Sequence, residues 1–197
     1  ICKAAEIIPV ILRFVEEGRA ARKLTKIEVP QKCPFCGHPT TSGQEDERVV
    51  VRCTNYHCHE WAQRRLEYFV SKQALDVDGM GPAAVQHLYG HGRLLTCADF
   101  FNHESAALKY FGFGDKKADN LAASLAQARH RATQEQDRVI RGLCIPNVGQ
   151  KASKALFDHF GSIHAAKQAS REDLANCPVL LPVAADAWFE ACRSHFV

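Results

Sequence analysis

Four cysteines in two short-spaced pairs are the residues of this 197-residue sequence best suited to a defined chemistry. Cys33 and Cys36 form the first pair, and Cys53 and Cys58 form the second after a polar intervening loop. Pairs of this kind are typical of tetrahedral zinc sites, in which each pair lies on a tight turn. Gly37 supplies backbone freedom that helps the first turn close. Because four thiolates fill a tetrahedral shell, the pattern predicts a structural zinc ion.

Three other roles for these cysteines make further demands. Two disulfides need an oxidising compartment, and we find no signal peptide to indicate one. A redox role for the first pair leaves the second pair unexplained. In the third alternative, a nearby histidine replaces one thiolate; the candidates are His38, His57 and His59. Four cysteines are the simplest ligand set, and the remaining cysteines are interpreted as small buried residues: Cys2, Cys97, Cys144, Cys177 and Cys192.

Composition indicates a globular protein outside the membrane. Hydrophobic residues make up 46% of the chain and charged residues 24%, and no apolar run approaches the twenty residues of a membrane-spanning helix. The net charge of +3 is too mild to predict a nucleic-acid partner by itself. No lysine, triad or carboxylate pair suggests catalysis, so we predict no catalytic residue. The chain begins with Ile1, which indicates an excerpt from a longer protein.

The hydrophobic pattern predicts the elements that position these residues. Residues 1–15 indicate one or two strands, residues 16–32 a charged linker, and residues 40–51 a short hairpin between the cysteine pairs. From residue 62 onward, apolar residues recur at helical spacing. The predicted helices span residues 82–89, 115–130, 134–143, 150–160 and 182–195, with shorter helical turns near 96–101, 162–168 and 170–175.

A turn with the order glycine, hydrophobic residue, glycine recurs before successive predicted helices. Residues 78–82, 111–118 and 146–152 contain three copies, the last with Asn147 in place of the first glycine. A fourth copy at 178–184 has Val179 and Leu181 where the glycines belong. Self-similarity with a period of roughly 33 residues indicates a repeated helix-hairpin-helix unit. The units lie near residues 76–88, 109–121, 144–156 and 176–188.

The chemistry of these turns suits a phosphate group. Glycine permits positive φ and the close approach of another molecule, while the hydrophobic residue plugs into the helix pair. The next helix begins with unpaired N–H groups and the positive end of its dipole. We therefore predict phosphate contacts at the turns and in the helical turns that follow: Gly79, Gly81, Gly112, Gly114, Lys116, Lys117, Asn147, Gly149 and Lys151.

A cysteine knuckle followed by four helix-hairpin-helix units resembles the C-terminal half of bacterial NAD-dependent DNA ligases. The resemblance is carried by residues 4–9, 33–37, 62–64, 69–81 and 159–162. It implies a mainly α fold: a tandem helix-hairpin-helix domain preceded by a small zinc-ribbon-like knuckle and the terminal strands of an OB-fold. The implied domains are the end of the OB-fold with a linker (1–30), the four-cysteine zinc finger (31–62) and the helix-hairpin-helix DNA-binding domain (63–197).

The resemblance also implies a function. This segment would grip nicked double-stranded DNA through the predicted phosphate contacts, without base-specific readout. The whole ligase would use NAD and magnesium, bound by a missing upstream domain, to seal 5′-phosphate/3′-hydroxyl nicks in replication and repair. The segment itself would be non-catalytic, inactive alone and monomeric, in a nucleoid-associated pool of the bacterial cytoplasm and away from membranes.

Two departures from the family pattern set further expectations. Residues 59–61 look like a small insertion after the last zinc ligand. Val179 and Leu181 lack the freedom of glycine, so we expect them to form a buried packing element instead of a phosphate contact. Gly114→Val, by contrast, should clearly weaken DNA binding and cost a modest amount of stability through strain in the turn. Two rivals remain: a non-enzymatic zinc and helix-hairpin-helix scaffold for repair or recombination, and a structural helical repeat whose glycine turns bind protein.

Overall fold

A computed structural model describes residues 2–4, 8–10, 28–45, 48–55 and 58–193 of the chain. The chain divides into two compact units, residues 1–54 and 55–197. The first contains two antiparallel strand pairs: β1 (Cys2–Ala4) with β2 (Ile8–Val10), and β3 (Thr40–Glu45) with β4 (Arg48–Cys53). The β3–β4 pair confirms the predicted hairpin. Strands β1 and β2 lie within residues 1–15, where strands were predicted. Most of the predicted linker lies outside the described residues. Two short strands do not define an OB-fold, so that assignment stays a prediction.

The second unit is helical, as predicted. Its elements are α1 (His59–Phe69), α2 (Pro82–Gly90), a 3-10 helix (Cys97–Asn102), α3 (Ser105–Tyr110), α4 (Asp115–Gln134), α5 (Gln136–Gly142), α6 (Gln150–Phe160), α7 (Ile163–Gln168), α8 (Arg171–Ala175) and α9 (Pro182–Arg193). Helix α3 was not predicted, because it is too short to display helical periodicity and its N-cap residue, Glu104, makes no side-chain cap, whereas serines mark the starts of the similarly short α7 and α8. Among the described residues, no helix has the length and apolar character needed to cross a bilayer.

Two apolar clusters hold the helical unit together, and each lies inside one pair of hairpins. The first cluster runs from α1 to α4 and includes Leu66 and Phe100, both at most 1% exposed. The second runs from α5 to α9 and is centred on the fully buried Trp188, whose Nε1 donates to the Ala166 carbonyl oxygen at 2.8 Å. Burial of such large side chains is the main force that holds the repeated units together.

Side-chain caps start the short connecting helices. Ser162 accepts a hydrogen bond from the Ala165 N–H at the start of α7. Ser170 and Asp173 form a reciprocal capping box at the start of α8. Hydrogen bonds from the Ser170 hydroxyl and N–H lower the pKa of Asp173. Both serine caps were predicted from the sequence and are confirmed.

Three arginines support the segment ahead of the first turn. Arg131, Arg138 and Arg141, on α4 and α5, donate to main-chain carbonyls within residues 72–76, with distances of 2.8–3.1 Å for three of these bonds. Charge-assisted bonds of this kind satisfy carbonyls that the irregular segment leaves without helical partners. These guanidinium groups therefore stabilise the fold, and we do not assign them to DNA binding.

Candidate metal centre and helix-hairpin-helix turns

The four predicted cysteines come together in the structure. The Sγ atoms of Cys33, Cys36, Cys53 and Cys58 all lie within 4.8 Å of one another. The Sγ atoms of Cys36 and Cys53 are 3.5 Å apart, well beyond the roughly 2.05 Å of a disulfide bond. A tetrahedral shell with metal–sulfur bonds of about 2.3 Å has sulfur–sulfur distances of about 3.8 Å. The donor set and its spacing therefore fit one metal ion held by four thiolates.

The local backbone explains why these sulfurs converge. The Gly37 N–H donates to the Cys33 carbonyl oxygen at 2.9 Å, and the Cys33 N–H donates to the His38 carbonyl oxygen at 2.8 Å. Gly37 has φ of +71°, which confirms its predicted role in closing the knuckle. In the second pair, Cys53 ends β4 and Cys58 directly precedes α1.

The histidines considered as substitute ligands lie elsewhere or outside the described residues. His38 places Nδ1 3.2 Å from the Cys36 carbonyl oxygen, where the ring braces the knuckle backbone. The His59 ring lies edge-on to Tyr89, with centroids 6.1 Å apart. His57 lies outside the described residues. Among the residues that can be placed, the metal-ligating cluster consists of the four cysteines.

Cysteines outside the cluster have the character of buried thiols. Burial raises the pKa of Cys97 to about 12, and it raises the pKa of Cys144 and of Cys192 to about 11. Cys177 is 4% exposed. Neutral, buried thiols are poor nucleophiles and poor metal ligands. The predicted role as a small buried residue is confirmed for Cys177. Cys97 and Cys192 are partly buried against the two apolar clusters, and Cys144 is half-buried. The Cys2 side chain lies outside the described residues.

The four helix-hairpin-helix turns share one backbone conformation. Their first glycine position has positive φ in every copy: +77° at Gly79, +88° at Gly112, +64° at Asn147 and +66° at Val179. Glycine and asparagine adopt this left-handed region readily, whereas a β-branched residue does so at a cost. The fourth turn thus keeps the hairpin geometry without either glycine.

A hydrophobic plug follows the positive-φ residue in each turn. Met80, Val148 and Leu180 are 4%, 3% and 8% exposed, and Phe113 is partly buried against the first apolar cluster. The N–H of each of the first three donates to the carbonyl oxygen three residues earlier at 3.0–3.3 Å, while the Phe113 N–H donates to Leu108 at 3.2 Å. The burial of these residues confirms the predicted plug, and the hydrogen bond adds a second restraint on the turn.

The second glycine position faces open space. Gly81, Gly114 and Gly149 precede α2, α4 and α6 in extended conformations, with φ of −77°, −61° and −85°. A Cβ added to any of them has no heavy atom within 4 Å. None of the three helices receives a side-chain cap, unlike α7 and α8. The expectation that Gly114→Val strains the turn is wrong, because any residue adopts this conformation.

The prediction that Val179 and Leu181 form a buried packing element is also wrong. Val179 and Leu181 are 78% and 66% exposed, and the buried residue of the turn is Leu180. The chain tolerates a valine at positive φ because the Leu180 plug and its hydrogen bond to Cys177 at 3.3 Å over-determine the turn. Since Leu181 is exposed, its replacement by glycine should remove little buried apolar surface.

The predicted lysines lie on the surface beside the turns. Lys116, Lys117 and Lys151 are exposed in the first turns of α4 and α6. The Lys117 Nζ lies 5.1 Å from the Phe113 ring centroid, which holds this cation beside the second turn. Lys151 lines an open groove together with Lys154. Lys154 was not selected from the sequence, although its spacing from Lys151 places both on one face of α6.

Two contacts that brace the second turn escaped prediction. His87, on α2, places Nε2 2.5 Å from the Phe111 carbonyl oxygen. Lys109 lies 3.0 Å from the Asp119 carboxylate, and hydrogen bonds from Ser105 and Lys109 lower the pKa of Asp119. The histidine contact joins residues distant in sequence, so no local pattern indicates it. Both contacts steady the segment from which the second turn projects.

The described fold defines a class of protein: a tandem helix-hairpin-helix protein with a four-cysteine cluster whose geometry suits a metal ion. The family described as "helix-hairpin-helix motif" matches residues 138–187. This range contains the third and fourth turns, so the match includes the turn without glycine.

Comparison with curated proteins identifies the family. The DNA ligase of Symbiobacterium thermophilum is 35% identical over 201 residues, covering 98% of this chain and 29% of the relative. That of Thermosipho africanus is 37% identical over 175 residues (88% and 26%), and that of Thermotoga maritima is 34% identical over 194 residues (98% and 28%). The chain belongs to the DNA ligase family, and it spans 26–29% of the length of these relatives.

Proposed function

We propose that this chain is the DNA-binding segment of a DNA ligase and grips duplex DNA through backbone phosphates. The observation that carries the proposal is the repeated open turn. Gly81, Gly114 and Gly149 each precede a helix, face open space and lack a side-chain cap. N–H groups at a helix start attract a phosphate, and so does the positive end of the dipole. Contacts of this kind do not touch base edges, so binding is independent of sequence.

The proposed DNA contacts fall into two groups. Main-chain groups at the turns supply the first, and exposed cations in the following helical turns supply the second. Gly79, Gly112 and Asn147 shape the turns, and the lysines add mobile positive charge to the main-chain donors. The complete set is Gly79, Gly81, Gly112, Gly114, Lys116, Lys117, Asn147, Gly149 and Lys151.

For the cysteine cluster we propose zinc in a structural role. Four sulfur donors in a tetrahedral arrangement suit zinc, and a closed shell leaves no position for a substrate. The ion would hold the two knuckles of Cys33–Cys36 and Cys53–Cys58 together. The domain limits 1–30, 31–62 and 63–197 stay predictions.

The complete enzyme would use NAD and magnesium in an upstream domain to activate a 5′-phosphate and seal a nick during replication or repair. This segment has no proposed catalytic residue and would be inactive alone. It would act as a monomer on nicked double-stranded DNA in the bacterial cytoplasm, associated with the nucleoid.

The proposal is tested by binding of the whole 197-residue chain to labelled duplexes, nicked and intact, with unrelated sequences. We expect similar affinities for all sequences, and a log–log salt slope of about −4 to −5 if roughly 4–6 phosphates are neutralised. No nick should be sealed when NAD or ATP is added with magnesium. Strong preference for one sequence contradicts phosphate gripping, and nick sealing contradicts the non-catalytic assignment.

A further inference from the structure

We propose that the fourth turn contacts the deoxyribose face of a DNA strand through apolar side chains, in a groove that it shares with the helix of the third turn. This inference rests on the proposed DNA-binding function. It assigns a contact chemistry to the turn that lacks glycine, where a close phosphate contact is least expected.

Apolar side chains project from the fourth turn into solvent. Val179 is 78% exposed, Leu181 66% and Val183 55%. They are three of the eight exposed large hydrophobic side chains among the described residues, and all three lie within one five-residue stretch. Because Leu180 occupies the core position, they contribute little to the second apolar cluster. A local apolar patch of this kind is typical of a contact surface.

The backbone at Val179 strengthens this interpretation. Its φ of +66° is a conformation that costs a β-branched residue free energy. The third turn, with Asn147 at +64°, shows that a polar residue adopts the same conformation. An exposed valine therefore gives the fold no advantage that asparagine would not give at lower cost. This favours a contact made outside the folded chain.

An open groove of about 450 Å³ connects the fourth turn to α6. Its lining includes Lys151 and Lys154 from α6, and Pro178 and Val179 from the fourth turn. Lys154 lies 3.3 Å from Asp158 and balances that acid, so the groove keeps the positive charge of Lys151. Cationic and apolar groups side by side match a sugar–phosphate strand, in which phosphates alternate with the apolar faces of deoxyribose.

The groove and the proposed phosphate site of the third turn adjoin each other at the start of α6. Gly149 directly precedes α6, and Lys151 lies in the first turn of the same helix. A strand whose phosphate binds at Gly149 is therefore close to the apolar side of the groove. Charge complementarity and this proximity favour DNA as the occupant over a second copy of the chain or a protein partner.

The test replaces exposed apolar side chains of the fourth turn with polar ones. The double variant Val179→Asn/Leu181→Ser, in the whole chain, places asparagine at the positive-φ position, as at Asn147, and introduces no glycine at the start of α9. We expect its affinity for a random duplex to fall about tenfold with the salt slope unchanged, because the lost contact is apolar. Hydroxyl-radical footprinting should show one or two deoxyriboses losing protection. Leu95→Asn, at a 65% exposed residue outside the four turns, should leave both measurements unchanged.

Several results would overturn this inference. A gain in affinity with a steeper salt slope would mean that the apolar side chains keep a phosphate away. Affinity equal to the Leu95→Asn control, or a change in self-association alone by sedimentation, would remove DNA as the occupant. Leu181→Ser serves as a second variant if the double variant melts early. Absence of salt-dependent binding by the unaltered chain would instead contradict the proposed function itself.

Discussion

The cysteine knuckle and the helical unit are stabilised by different forces. Among residues 28–43, 49–55 and 58, whose burial the structure describes, the buried residues are Cys33 and Cys58. The helical unit instead encloses two apolar clusters that reach from Leu66 to Trp188. A segment as short as the knuckle buries too little apolar surface to fold on that basis, so we expect its order to depend on the proposed metal. The two regions should therefore respond to different perturbations.

Loss of the metal should have the largest effect, confined to the knuckle. Structural zinc contributes on the order of 10–16 kcal/mol of apparent binding free energy in small domains. We expect Cys36→Ser or a chelator to abolish zinc binding and hydrogen-exchange protection near Cys33–Cys58, while the helical unit keeps its melting transition. Zinc analysis and hydrogen exchange provide the measurement. Cys192→Ser, outside the cluster, should retain one zinc per chain.

Two outcomes would contradict the view that the knuckle, unlike the helical unit, depends on a metal. Metal analysis that finds no zinc in the unaltered chain would remove the ligand assignment. Full protection of the knuckle amides after chelation would show that the knuckle does not depend on a metal.

Trp188→Ala should have the converse effect. It removes a fully buried side chain and the hydrogen bond from Nε1 to Ala166. We expect a loss of about 3–5 kcal/mol in the free energy of unfolding, measured by denaturant titration, with unchanged zinc content. Trp188→Phe keeps most of the ring and should cost less, mainly through the unsatisfied Ala166 carbonyl. A zinc loss that accompanies the helical destabilisation would contradict the separation of the two regions.

Within the helical unit, the two glycine positions of a turn should differ. Gly79 has positive φ, and a Cβ added there lies 3.2 Å from Leu121 Cδ2. We expect Gly79→Ala to cost about 1–3 kcal/mol through backbone strain and crowding. Gly114→Ala should stay within about 0.5 kcal/mol, because its conformation and surroundings accept a Cβ. Thermal melting compares the two variants, and equal losses would mean that the positions are not distinct.

Much of the fold was predictable where the information is local in sequence. Cysteine spacing identified the four residues of the cluster, helical periodicity gave residues 150–160 as a helix with the observed bounds, and serines marked the starts of α7 and α8. The hydrophobic plugs followed from the repeated turn pattern. In each case the chemistry of a few neighbouring residues is sufficient.

What escaped prediction depends on contacts between distant residues. The plug at Leu180 keeps Val179 at positive φ and leaves Leu181 exposed, whereas glycine loss alone suggested a buried element. The bond from His87 to Phe111 joins two separate helical segments. The arginine bonds to residues 72–76 likewise span more than fifty residues of sequence. None of these contacts leaves a periodic or spacing signal.

The smallest expected effect concerns the α8 cap. Hydrogen bonds from Ser170 lower the pKa of Asp173 in the folded chain. The stabilisation is therefore present above the ordinary aspartate pKa and is lost as pH falls through the lowered folded value. Asp173→Asn should lower the melting temperature slightly near neutral pH and reduce the loss seen on acidification. Glu172→Gln, on the same helix and exposed, is the matched control. Identical pH profiles for the two variants would contradict the cap assignment.

The central claim, that open helix starts at the turns bind DNA phosphates, is tested most directly by Gly114→Val. Gly114 faces open space ahead of α4, so a valine there blocks an approaching phosphate without straining the fold. Gly90→Val, also in open space but at the opposite end of α2 from the first turn, is the control. At matched melting temperatures, we predict at least a tenfold loss of duplex affinity and a shallower salt slope for Gly114→Val alone. Equal affinity for the two variants, or a salt slope near zero for the unaltered chain, would contradict the claim.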